Sequence, residues 1–166
     1  MASSGGGKWE YDLLALAVAV FAIFFAARYI LHVSWPFAVV SSWSMLPTLR
    51  VGDFVLLAGV RSCSSLQLGD IIVYVAEPPV PPGEWIIHRV ISVSPACQVV
   101  TKGDNNPISD QQFGEPPVAL GDIVGEAFFV IPYVGVFPLI VRPQSFGGAG
   151  IDLWASRLLL FSILAV

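Results

Sequence analysis

Charge is scarce in this sequence. Charged side chains make up only 12% of the 166 residues, against roughly 25% in ordinary soluble proteins. The two lysines, Lys8 and Lys102, stand far apart, and no basic patch is legible. The electrostatic footprint of phosphate-backbone binding is therefore missing, and no nucleic-acid partner is expected. The two cysteines, Cys63 and Cys97, and the two histidines, His32 and His88, are too few and too scattered for a zinc-ligand pattern. No metal and no cofactor is expected. Cys63 and Cys97 would pair if their domain faces an oxidising compartment, and buried free thiols fit the sequence equally well.

What the chain has in excess is apolar surface, 55% hydrophobic residues with a mean hydropathy of +0.76. Its length suits one domain with a membrane segment attached. Residues 1–12 read as a flexible tail, rich in small residues at its start. Residues 13–35 contain LLALAVAVFAIFFAARYILHV, whose length as a helix, about 31 Å, matches a bilayer core of about 30 Å. The run is too long for the apolar core of a cleaved signal peptide. Arg28 can snorkel near the end of such a helix, and Tyr29, His32 and Trp35 suit the interface. The flanking positive charges do not decide which way the helix points.

Residues 36–143 change texture, to short β-branched and aromatic runs at 37–40, 54–57, 71–75, 85–93, 98–102 and 123–131. These predict an antiparallel β domain. Gly-Asp pairs recur at 52–53, 69–70, 103–104 and 121–122, so Asp53, Asp70 and Asp122 read as turn residues. The Pro-rich segment 77–84 cannot pair in a central strand and reads as an exposed loop. The run IPYVGVFPLIV, broken by Gly135 and Pro138, suits a last strand or a membrane-surface segment. Residues 144–150 read as a linker, and 151–166 as a C-terminal membrane helix or an interfacial one.

Ser44 lies just beyond the long apolar run, in VSSWSMLPTL. A serine hydroxyl is a weak nucleophile until a base takes its proton. His88, in the strand-like WIIHRVISV, is a candidate base, since a free imidazole titrates near ~6.5 and is neutral at physiological pH. By alternation it shares a strand face with Ile86, Val90 and Ser92, with Arg89 opposite. Asp104 and Asp110 follow one strand later, and either carboxylate could hold the imidazole in the working tautomer. Each residue also has a plainer reading: His88 bonded within a sheet, Asp104 capping a turn.

The ordered boxes Ser42-Trp43-Ser44-Met45-Leu46-Pro47-Thr48, Arg50-Val51-Gly52-Asp53, Gly69-Asp70-Ile71-Ile72-Val73, His88-Arg89-Val90, Lys102-Gly103-Asp104-Asn105-Asn106, Gly121-Asp122-Ile123-Val124-Gly125 and Ile131-Pro132-Tyr133-Val134-Gly135 resemble those of type I signal peptidases. The resemblance covers about residues 40–136. Bacterial members carry a lysine where this chain has His88, which is similar instead to the archaeal and endoplasmic-reticulum branch. The resemblance implies Ser44 as nucleophile, His88 as general base and Asp104 and Asp110 as the branch's two aspartates. It also implies an oxyanion hole from the Ser42 hydroxyl and the Ser44 backbone N–H. One departure is Trp43, where that family often has glycine or another small residue.

The expectation is therefore a membrane-bound serine endopeptidase that removes signal peptides from translocated preproteins, with small residues one and three positions before the cut. Its partners would be signal peptides and the lipid bilayer, with association with translocation machinery or accessory subunits left open. The resemblance places the catalytic domain on the extracellular or lumenal face, and an archaeal plasma membrane is favoured over an endoplasmic-reticulum membrane. Two readings from other classes compete: a non-catalytic membrane-anchored β domain that binds a partner, which would leave Ser44 and His88 far apart, and a pseudo-peptidase subunit.

Overall fold

The computed structural model describes residues 8–81 and 83–141; the expected linker, the C-terminal helix and most of the N-terminal tail lie outside the described residues. Helix α1, Lys8–Leu31, begins inside the expected tail and buries none of its residues. At 24 residues, with an 18-residue stretch of mean hydropathy 2.3, it is long and apolar enough to cross a membrane, about 36 Å at 1.5 Å per residue. Its end is tied to the sheet: the Gly59 N–H donates to the Leu31 carbonyl at 2.7 Å. A Cβ at Gly59 would sit 2.0 Å from the His32 carbonyl oxygen, so only glycine permits this junction. Phe24 on α1 meets Trp35 and Phe37 at 5.9 and 6.3 Å between ring centroids, continuing the anchor.

Beyond the helix the chain forms one antiparallel sheet from β1 (Phe37–Val39), β2 (Phe54–Ala58), β3 (Ile71–Val75), β4 (Trp85–Val93), β5 (Gln98–Lys102), β6 (Val118–Ala119) and β7 (Ile123–Ile131). The strand order is β1-β2-β7-β3-β4-β5-β6. Side chains of β3 alternate between two cores, as a strand buried on both faces must. Val73 packs with Val40, Met45, Leu49, Val55 and Leu57, whereas Ile72 and Tyr74 pack with Leu66, Val90, Val99 and Val118. Asp53 and Asp70 do the work expected of turn residues: they accept the backbone N–H of Arg50 at 2.8 Å and of Gln67 at 2.7 Å.

Three details differ from the strand pattern of the sequence. Ser92 does not share the face of His88 and Val90, because a bulge between Val90 and Ser92 inserts an extra residue opposite β5 and reverses the alternation. Two short helices, α2 (Asp110–Phe113) and α3 (Val136–Val141), and the two-residue β6 are too brief to leave a periodic signal. The segment 132–141 is thus no strand; β7 ends at Ile131, and Pro138 sits within the first turn of α3, where its missing N–H costs no helical bond.

Cys63 and Cys97 form a disulfide with a Cα–Cα distance of 5.6 Å, fastening the segment before β3 to the β4–β5 turn. The bond closes a 34-residue separation, for which chain entropy suggests about 3–4 kcal/mol. Replacing both cysteines with alanine is expected to lower the unfolding free energy by about that amount in denaturant titrations. No loss would mean that the unfolded chain is already compact there.

Candidate active site

Ser44 is held from two sides. Below it, Met45 and Leu49 are fully buried in the first core, and the Leu49 N–H donates to the Met45 carbonyl at 2.9 Å, closing a tight turn. Above it, the Asn105 N–H donates to the Ser44 carbonyl at 2.7 Å and the Asn105 side-chain amide to the Trp43 carbonyl at 3.2 Å. A Cβ at Gly103 would come within 2.7 Å of the Ser44 carbonyl oxygen. The Gly-Asp-Asn turn can therefore press onto the serine loop only because its first residue has no side chain. Trp43 projects outward and is 64% exposed.

His88 stands in the middle of β4, paired with Ile72, on the face that carries Tyr74 and Thr101. Asp110 opens α2, a single turn fixed by a capping box between Ser109 and Gln112. Gln111 docks that turn on β5 by accepting the Thr101 N–H at 3.0 Å. The consequence is a continuous chain: Asp110 Oδ2 lies 2.7 Å from His88 Nδ1, and His88 Nε2 lies 3.0 Å from Ser44 Oγ. A carboxylate only accepts, so Nδ1 carries the proton and the lone pair of Nε2 faces the serine. The Ser42 hydroxyl is 3.2 Å from that of Ser44. His88 and Asp110 are buried, and Ser44 is half-buried at the rim.

Asp104 is not brought to His88. Its two oxygens accept Arg89 Nε and Nη2 at 2.8 and 2.7 Å, and Oδ2 also accepts the Thr48 hydroxyl at 2.5 Å. The hydrogen bonds from Arg89, then that from Thr48, hold the Asp104 carboxyl below the usual carboxylate range against the opposing effect of burial. Arg89, on the face of β4 opposite His88, also donates to the Gly69 carbonyl at 2.6 Å. The cluster ties the turn after β5 to Thr48, four residues beyond the serine. Ser44 and His88 are therefore not far apart, as the partner-binding β domain requires.

Tyr74 and Glu115 escape the sequence reading. The Tyr74 hydroxyl donates to Asp110 Oδ2 at 3.0 Å and lies 3.4 Å from Glu115 Oε2. Burial, with the nearby carboxylates, pushes the Tyr74 hydroxyl far up, and burial followed by Asp110 raises the Glu115 carboxyl. The one signal for Tyr74 was a polar tip inside the otherwise aliphatic IIVYV; nothing in the sequence pointed to Glu115.

The family model for signal peptidase, peptidase S26, matches residues 12–122, more than half of the chain and inclusive of Ser44, His88 and Asp110. The chain belongs to that family. Among similar proteins, the signal peptidase complex catalytic subunit sec11 of Neurospora crassa is 32% identical over 113 residues. The corresponding subunit of Chaetomium globosum is 34% identical over 113 residues, and subunit SEC11C of Homo sapiens 34% over 114. Each alignment takes in 64% of this chain; it spans 63% of either fungal protein and 57% of the human one. These signal peptidase relatives are eukaryotic, so they agree with the endoplasmic-reticulum branch and lend nothing to the archaeal preference.

Proposed function

We propose that the chain is a membrane-anchored serine endopeptidase that cleaves signal peptides from preproteins. The observation that carries the reading is the hydrogen-bonded series from Asp110 through His88 to Ser44, at 2.7 and 3.0 Å. In this mechanism His88 Nε2 takes the Ser44 proton as Oγ attacks the scissile carbonyl. Asp110 stabilises the imidazolium that results, and His88 returns the proton to the leaving amine. The Ser42 hydroxyl and the Ser44 N–H would stabilise the oxyanion, an effect worth about 3–4 kcal/mol per donor. Water then releases the acyl group by the same path. Asp104 takes no proton in this scheme; with Arg89 it holds the serine loop in register.

Residues 13–35 act as the membrane anchor and 36–143 as the peptidase domain in this reading, with 144–150 as linker and 151–166 as a membrane or interfacial segment. A tether raises the effective concentration of an equally tethered substrate. The Cys63–Cys97 disulfide supports a domain on the oxidising, lumenal or extracellular side. Since the relatives are named as subunits of a signal peptidase complex, association with further subunits is part of the proposal.

Purified chain in detergent, given a preprotein, is expected to release the signal peptide at a single bond. The rate should fall on acidification, because protonated imidazole cannot accept the serine proton. A rate that acidification leaves unchanged would remove His88 from the role of base.

A further inference from the structure

The buried polar chain does not end at Asp110. Tyr74 carries one hydroxyl proton and faces two carboxylates, Asp110 Oδ2 at 3.0 Å and Glu115 Oε2 at 3.4 Å. Its oxygen is already taken on another side, since the Thr101 hydroxyl donates to it at 3.3 Å. Asp110 and Glu115 are only 4% and 7% exposed, so water does little to level their charges. We propose that Tyr74 and Glu115 are positioning residues of the site, the Tyr74 proton being apportioned between Glu115 and Asp110 and so setting how strongly Asp110 holds the His88 imidazolium. This rests on the peptidase reading and deepens it.

The physical argument is a competition for one donor. Asp110 Oδ2 accepts both His88 Nδ1 and Tyr74, and each bond to a carboxylate draws charge away from the other. When Tyr74 leans towards Glu115, the whole charge of Asp110 falls on His88 and stabilises its protonated form. When Tyr74 leans towards Asp110, the imidazolium loses part of that support. The groups facing the pair are Tyr74 from β3, uncharged Thr101 from β5, Glu115 from the segment after α2, and Ser44 from its loop. Glu77 and Asp122 line the small pocket that Tyr74 and Glu115 share, and two cations of the neighbouring strands are engaged elsewhere, Arg89 with Asp104 and the Lys102 ammonium with the Gly103 carbonyl at 3.3 Å.

Two substitutions should therefore displace the acid limb of the pH–rate profile in opposite directions. Tyr74→Phe removes a donor from Asp110 and is expected to move the limb up by about half to one pH unit, whereas Glu115→Gln removes a charge, frees the Tyr74 proton for Asp110 and should move it down. A packing defect alone would lower the rate without moving the limb. The proposal is overturned if the limb stays within about 0.2 unit in both variants or moves the same way in both. Titrating the His88 ring by NMR in the full chain in detergent, with Ser44→Ala present throughout, reads the same displacement without turnover. Tyr74→Phe deletes a single oxygen, so this measurement is available even if Glu115→Gln does not fold. If Ser44→Ala cleaves like the parent, the peptidase reading fails; if it is inactive and the limb does not move, only the positioning role fails.

Discussion

Ser44→Ala should reduce signal-peptide cleavage by about 10⁴–10⁶-fold in kcat, the range seen when a serine nucleophile is removed from a site whose other parts remain. The loss comes from chemistry and leaves the fold in place. The Ser44 backbone is gripped through its own carbonyl by Asn105, and the neighbouring Met45 and Leu49 fill the core, so the side-chain oxygen bears little of the structure. Unfolding transitions of parent and variant should coincide to within about 1 kcal/mol, since deleting a half-buried hydroxyl costs no more than one hydrogen bond. Preprotein should still bind, because the substitution removes only one hydroxyl oxygen from the site. A variant that cuts at the parental rate would exclude Ser44 as nucleophile and return the chain to a binding role.

Asp110→Asn and Asp104→Asn separate the two aspartates that sequence left equivalent. Asp110→Asn is expected to lower kcat by about 10³–10⁴-fold at neutral pH, because an amide can donate to Nδ1 and so favour the imidazole tautomer whose Nε2 carries the proton. Asp104→Asn keeps an oxygen for Thr48 or Arg89 but breaks the bidentate pair. A serine loop displaced by about an ångström costs on the order of 10²-fold, and the pH at which His88 protonates should not change. If Asp104→Asn were the more damaging of the two, the orienting role assigned to Asp110 would be wrong.

The strand runs were legible because β3 and β4 are short β-branched and aromatic runs bounded by turn residues, and α1 because an uninterrupted apolar run has few other solutions. Ser92 shows where that inference stops: a bulge one residue earlier reverses the face, and it arises from pairing with β5, which no local pattern encodes. The same holds for α2, whose four residues owe their helix to a Ser109–Gln112 capping box and to docking on Thr101. Glu115 was invisible for a related reason. A carboxylate has meaning only beside the groups that share its burial, and Tyr74 stands 41 positions away in the chain.

By itself the sequence determined the apolar helix, the antiparallel character of the domain and, through the ordered boxes around Ser44 and His88, the family. Those features are written in residues close to one another, where spacing and residue type are enough. Only the tertiary structure decided which aspartate meets the histidine, since both lie at the same end of one strand and differ in what folds back upon them. Arg89, projecting from the opposite face of β4, captures Asp104; the turn of α2, docked against β5, delivers Asp110 to the imidazole. The pairing of Cys63 with Cys97 was decided in the same way, by the sheet that brings their Cα atoms to 5.6 Å.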